Sequence, residues 1–92
     1  MRILVTPTFV RMVKKLHGQQ KADLDAAVKA VACDASIGEA KMGDLVGISV
    51  YIFRMVNQLS LLSYQVLDAD SIKLLTVGPH DNFYRDLKRL DN

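Results

Sequence analysis

"LVGISVYIFRMVNQLSLLSYQVLDADSIKLLTVG", residues 45–78, is the stretch whose reading decides the fold. Its opening alternates: Ile48, Val50 and Ile52 fall on one side, and Ser49, Tyr51 and Phe53 on the other. A period of two belongs to a pleated strand and not to a helix. "VNQ" (56–58) turns the chain, and "LSLLSYQVL" (59–67) reads as a second strand. "DADS" (68–71) turns it again, and "IKLLTVG" (72–78) is a third. Consecutive strands with turns this short pair antiparallel, as a meander.

Working outward, "RILVT" (2–6) is a short β-branched run and predicts a strand. Thr6-Pro7 then starts a helix: Thr caps the free N–H groups, and Pro at the first helical position loses no hydrogen bond. Phe9, Met12, Val13 and Leu16 form one apolar stripe, and Gly18 is expected to stop the helix. A second helix is expected from about residue 19 to 34, burying Leu24, Ala27, Val28, Val31 and Ala35. The tight connection between the two predicts a helical hairpin. Residues 36–44, "SIGEAKMGD", have no periodicity and read as a loop. At the other end, Phe83, Leu87 and Leu90 space a last helix, with Asp81 or Asn82 as cap and Lys88 and Arg89 at its negative end. The expected fold is α+β in the order β-α-α-β-β-β-α: a small antiparallel sheet packed on an N-terminal helical hairpin, one domain over residues 1–92.

Composition sets the bounds on function. Half the residues are hydrophobic and 24% are charged, an ordinary globular balance, and the net charge is only +2. That faint bias suits a nucleic-acid substrate but is far from a polybasic chain. The lone Cys33 has no partner for an internal disulfide, points to a reducing compartment, and is expected to be buried on a helix of small residues. No apolar run approaches the ~20 residues of a membrane span, and "MRILVTPTF" (1–9) turns to Thr-Pro too soon for a signal peptide. A cytoplasmic protein is expected, with no membrane partner. There is no Gly-rich phosphate loop, no zinc spacing among His17, Cys33 and His80, and no Ser/His/Asp set. No cofactor or metal is expected.

The element order, together with "MGDLVGISVYIFRM" (42–55), "LLSYQV" (61–66) and "LLTVGPHDNFYRDLKRL" (74–90), resembles the RelE/ParE superfamily of bacterial toxins from type II toxin–antitoxin pairs. The resemblance implies a cognate antitoxin partner, whose segment lies over the toxin's groove and sheet, and contact with operator DNA only through that antitoxin. Superfamily members act in at least two ways: RelE-like toxins cut messenger RNA in the ribosome, whereas ParE-like toxins poison DNA gyrase without hydrolysis. A third state is a decayed toxin that only binds its antitoxin and helps repress its operon. Fold alone does not separate these.

Cutting RNA without a metal needs a base for the 2′-hydroxyl, cations on the phosphate and an acid for the leaving 5′-oxygen. His80, two residues past Gly78, with Tyr84 four residues further, looks similar to the YafQ branch, where a histidine after Gly-Thr and an aromatic four residues on belong to the catalytic site. The candidate catalytic set is His80 as acid or base, Tyr84 to stack or orient, and Arg85 and Arg54 on the phosphate. Where RelE carries a strand arginine this chain has Leu61, and the family's paired lysines fall among Ser49, Tyr51 and Phe53, which leaves Arg54 as the strand cation. Arg11, Lys14 and Lys15, at i, i+3 and i+4, with Lys41 and Lys21, form the candidate surface for RNA or another target. Tyr51, Phe53, Leu59 and Leu61 would make an apolar docking patch if they faced outwards.

Overall fold

Three strands occupy the deciding stretch: β3 (Ser49–Met55), β4 (Gln58–Asp68) and β5 (Ser71–Pro79), paired antiparallel in sequence. The structure is a computed structural model and describes residues 1–79. Before the meander come β1 (Arg2–Val5), α1 (Pro7–Lys14), α2 (Gly18–Cys33) and a two-residue strand, β2 (Glu39–Ala40). The sheet runs β1-β5-β4-β3-β2. Its added strands differ in direction: β1 joins β5 in parallel, and β2 joins β3 antiparallel. A parallel β1 follows from connectivity, because α1 and α2 carry the chain across the sheet before β3 begins. His80, Tyr84, Arg85 and the expected last helix lie outside the described residues.

Local chemistry sets the helix starts. The Thr6 hydroxyl accepts from Phe9 N–H at 3.0 Å and donates to the Leu75 carbonyl at 2.8 Å, so one side chain caps α1 and ties it to β5. Gly18 begins α2 and does not end α1: His17 N–H donates to the Gln20 side chain at 3.0 Å, which belongs to a helix start. Asp34 ends α2, so Ala35 enters a 3-10 turn, and Cys33 is exposed where burial was expected.

α1 packs across β5 and α2 across β3, both on one face of the sheet. Phe9, Leu24, Ala27 and Val31 meet Met55, Leu62, Tyr64, Ile72, Leu74 and Val77 there. A second, smaller cluster of Leu45, Ile48, Val50, Leu61 and Leu75 fills the other face. β4 is therefore buried on both sides, which explains its unbroken "LLSY" in place of alternation. A register shift at Ser63/Tyr64 accommodates the consecutive Leu74 and Leu75, and the Ser63 hydroxyl accepts from Thr76 N–H at 3.0 Å beside it.

The β3–β4 turn is strained. Val56 (φ 50) and Asn57 (φ 67) both sit in the left-handed region that a two-residue hairpin turn demands. Asn tolerates it, but a β-branched residue does not. Val56 is held there by Asp23, whose carboxylate accepts from Val56 N–H at 2.8 Å. Val56 is 42% exposed, so replacing it forfeits little burial. Val56→Asn is expected to raise the unfolding free energy by about 1 kcal/mol, the scale of such backbone strain. A denaturant midpoint that falls instead would show that the Val56 contacts outweigh the strain.

Candidate functional site

Pairing parity decides which side chains share a face. Ile52 pairs with Leu61 and Arg54 with Leu59, so Val50, Ile52 and Arg54 stand with Leu59 and Leu61 on the face away from the helices. The residues opposite Leu61 are thus not Ser49, Tyr51 and Phe53. Those turn towards α2, where the Tyr51 and Phe53 rings stack at 6.2 Å and 7° and pack on the main core. Tyr51, Phe53 and Leu61 do not face outwards together: both aromatics are half-buried and Leu61 is fully buried. Leu59 and Ile52 remain exposed on that face.

Arg54 is exposed near the turn end of β3. Among the described residues no carboxylate pairs with it. It borders a groove of about 220 Å³ between β3 and α2, lined by Asp23, Ala26, Ala27, Tyr51, Phe53 and Arg54. Asp23 is committed within that wall, one oxygen to Val56 N–H at 2.8 Å and the other to the Gln19 amide at 3.1 Å. The groove owes its room to alanines 26 and 27, which leave the aromatic pair uncovered from above. Sequence reasoning missed Asp23, because an aspartate on an exposed helical face looks the same whether or not a distant turn donates to it.

The remaining cations do not converge on Arg54. Arg11, Lys14 and Lys15 are exposed along and just past α1, on the helical side of the sheet, with Arg11 donating to the Thr8 hydroxyl at 3.1 Å. Lys41 is half-buried, with its ammonium 3.3 Å from Glu39. Lys21 lines a second groove of about 270 Å³ between the two helices, with Phe9, Val13, Leu24, Val28 and Leu74. The structure thus brings together Arg54, Ile52, Leu59 and Leu61, and holds the α1 cations apart from them. Among the described residues no three His, Cys, Asp or Glu side chains are grouped to hold a metal ion, and no helix is long and apolar enough to cross a membrane.

β5 ends at Pro79, which pairs with Ser60, and Ser60 pairs with Phe53. The chain therefore leaves β5 level with Phe53 and one residue short of Arg54, two strand spacings or roughly 10 Å away.

Comparison with known proteins adds a family and a fold. The family described as ParE-like toxin of type II bacterial toxin-antitoxin system matches residues 3–88. No curated protein matches the chain. Among solved structures, a free mutant of the E. coli toxin RelE is similar at a TM-score of 0.74 and 15% identity, over 98% of this chain and 94% of that one. RelE in the intact E. coli RelBE toxin–antitoxin complex gives 0.69 and 17%, over 87% and 96%. The RelE mutant in complex with an antitoxin RelBc peptide gives 0.68 and 17%, over 94% and 92%. At these identities the likeness is one of fold.

Proposed function

The chain belongs to the ParE-like toxins of type II bacterial toxin–antitoxin systems, and on that premise we propose that it arrests growth in the cytoplasm by cutting messenger RNA in the ribosome until a cognate antitoxin covers it. The observation that supports this reading is the end of β5: Pro79, which precedes His80 in the sequence, lies level with Phe53 at the Arg54 end of β3. Those three residues lie outside the described ones, so their roles rest on the sequence.

In the proposed reaction a base, His80 or a partner in its reach, takes the proton of the 2′-hydroxyl. The 2′-oxygen attacks the adjacent phosphorus, the bond to the 5′-oxygen breaks, and a proton delivered to that oxygen completes the leaving group. The products are a 2′,3′-cyclic phosphate and a 5′-hydroxyl. Arg54 and Arg85 carry the charge that builds on the phosphate, and Tyr84 stacks on a base. Arg11, Lys14 and Lys15, on the other side of the molecule, hold ribosomal RNA phosphates without taking part in the chemistry.

One observation favours a second reading. Arg54 has Ile52, Leu59 and Leu61 around it on its face of the sheet, and none can stabilise a phosphate. Such a face suits a protein target, as for a gyrase poison that does no hydrolysis. Pulse labelling after induction without the antitoxin separates the readings. Methionine incorporation is expected to fall first, with thymidine incorporation intact. Thymidine falling first would replace the nuclease with the gyrase reading, and uninterrupted growth would leave a decayed toxin that only binds its antitoxin.

A further inference from the structure

We propose that Asp23 is a positioning residue for the cleavage: its carboxylate ties the β3–β4 turn to α2 and so keeps Arg54 on its face of the sheet. This rests on the nuclease reading above and adds to it a residue that touches no substrate. Met55 and Gln58 form the last pair of the hairpin, so the N–H of Val56, the first turn residue, falls outside the ladder. Asp23 supplies its partner at 2.8 Å, from 33 residues away in sequence. The other carboxylate oxygen accepts from the Gln19 amide at 3.1 Å, one helical turn back. Both oxygens are thus held, and the half-buried Asp23 has a fixed direction.

The bond matters because Val56 suits this turn badly. A β-branched residue at φ 50, followed by Asn57 at φ 67, stores strain that a looser turn would relieve. Turn geometry sets hairpin register, and side chains alternate along a strand. A slip of one residue would carry Arg54 from the face it shares with Leu59 and Leu61 to the helix side. Met55 also anchors this end of the hairpin, buried in the main core, but apolar packing is non-directional. The hydrogen bond to Val56 is directional and fixes the turn itself. Asp23 and Arg54 line one groove with Ala26, Ala27, Tyr51 and Phe53, yet no ion pair joins them among the described residues. The route from Asp23 to Arg54 therefore runs through the backbone of Met55 and Val56, not through charge.

The test measures mRNA cleavage in a purified translation system, together with the exchange rate of the Val56 amide, which reads the tie apart from the chemistry. Asp23→Ala is expected to lower the rate at saturation and to speed Val56 exchange, each about tenfold, near the net value of one hydrogen bond. The half-saturating ribosome concentration should not move, because Arg11, Lys14 and Lys15 still hold the target. Asp23→Asn keeps a carbonyl acceptor and should stay within about threefold of wild type. Adding Val56→Asn to Asp23→Ala should restore the rate, since Asn takes the left-handed turn without a tie. In the Arg54→Ala background, Asp23→Ala should cost no further rate while still lowering the unfolding midpoint, as expected of a residue that acts through Arg54. Equal proportional losses in both backgrounds, or no rescue by Val56→Asn, would make Asp23 a stability residue and overturn the assignment. Asp23→Ala cutting at the wild-type rate would overturn it and leave the nuclease standing. A wild-type chain that cuts nothing ends the nuclease reading and this role with it.

Discussion

Gly38→Ala is expected to lower the unfolding free energy by about 2–3 kcal/mol, the upper range for forcing a methyl into a filled site. Gly38 sits in extended backbone (φ −77, ψ 156), so its conformation suits any residue. The constraint is the space. An added Cβ would overlap the Tyr64 hydroxyl and lie 2.8 Å from its Cζ. Tyr64 cannot swing aside, because it is fully buried and its hydroxyl donates to the Ala35 carbonyl at 2.6 Å and accepts from Gly38 N–H at 3.0 Å. Tyr64→Phe should cost about 1–3 kcal/mol by stranding those two backbone groups. The double variant is expected to be less destabilised than the sum, since removing the hydroxyl relieves the worst overlap. Strict additivity would show that the two residues do not meet. Burial lifts the Tyr64 phenol above its ordinary value, with Asp34 adding to the shift and the Gly38 N–H opposing it. A raised folded pKa means stability that is whole below the ordinary phenol value, about 10, and lost as pH climbs through the folded one. Tyr64→Phe should remove that alkaline loss.

The meander was legible because each strand carries its own signal: alternation in β3, short polar turns, and β-branched runs. Thr6-Pro7 announced α1 for the same reason, a cap acting over three residues. What could not be read depends on contacts far apart in sequence. β2 exists only because Glu39 and Ala40 meet the edge of β3, and two residues have no periodicity of their own. Gly18 looked like a stop because glycine serves both ends of helices; the Gln20 side chain returning to His17 N–H decides it as a start. Which face of β3 shares Leu61 is likewise not written in either strand alone. A slip of one inverts a strand, and only the two-residue turn at Val56-Asn57 sets the register that places Ile52 and Arg54 there. Of the candidate site, Arg54 was found by elimination among strand cations, whereas Asp23 and the groove above Tyr51 and Phe53 are tertiary and left no mark on the sequence.

Arg54→Ala and His80→Ala are each expected to reduce the rate of mRNA cleavage in a purified translation system by two or more orders of magnitude, the usual value of a positioned acid–base or charge-stabilising group. Arg54 is well suited to the test because it is exposed and makes no ion pair among the described residues. Its removal should leave the unfolding midpoint within about 0.5 kcal/mol of wild type, so a lost activity cannot be a lost fold. Arg54→Lys should recover part of the rate, since the charge remains but the forked donor does not. The triple change of Arg11, Lys14 and Lys15 to Gln separates grip from chemistry. Those residues lie on the opposite side of the sheet, so it should weaken ribosome binding and flatten its salt dependence by roughly two units of slope, with the rate at saturation unchanged. Full cleavage by Arg54→Ala would remove this residue from the phosphate. A wild-type chain that cuts nothing yet blocks supercoiling by purified gyrase would assign the apolar face around Arg54 to a protein target. In that case Arg54→Ala and Leu59→Asp should both abolish inhibition, whereas a nuclease should be far more sensitive to the first than to the second.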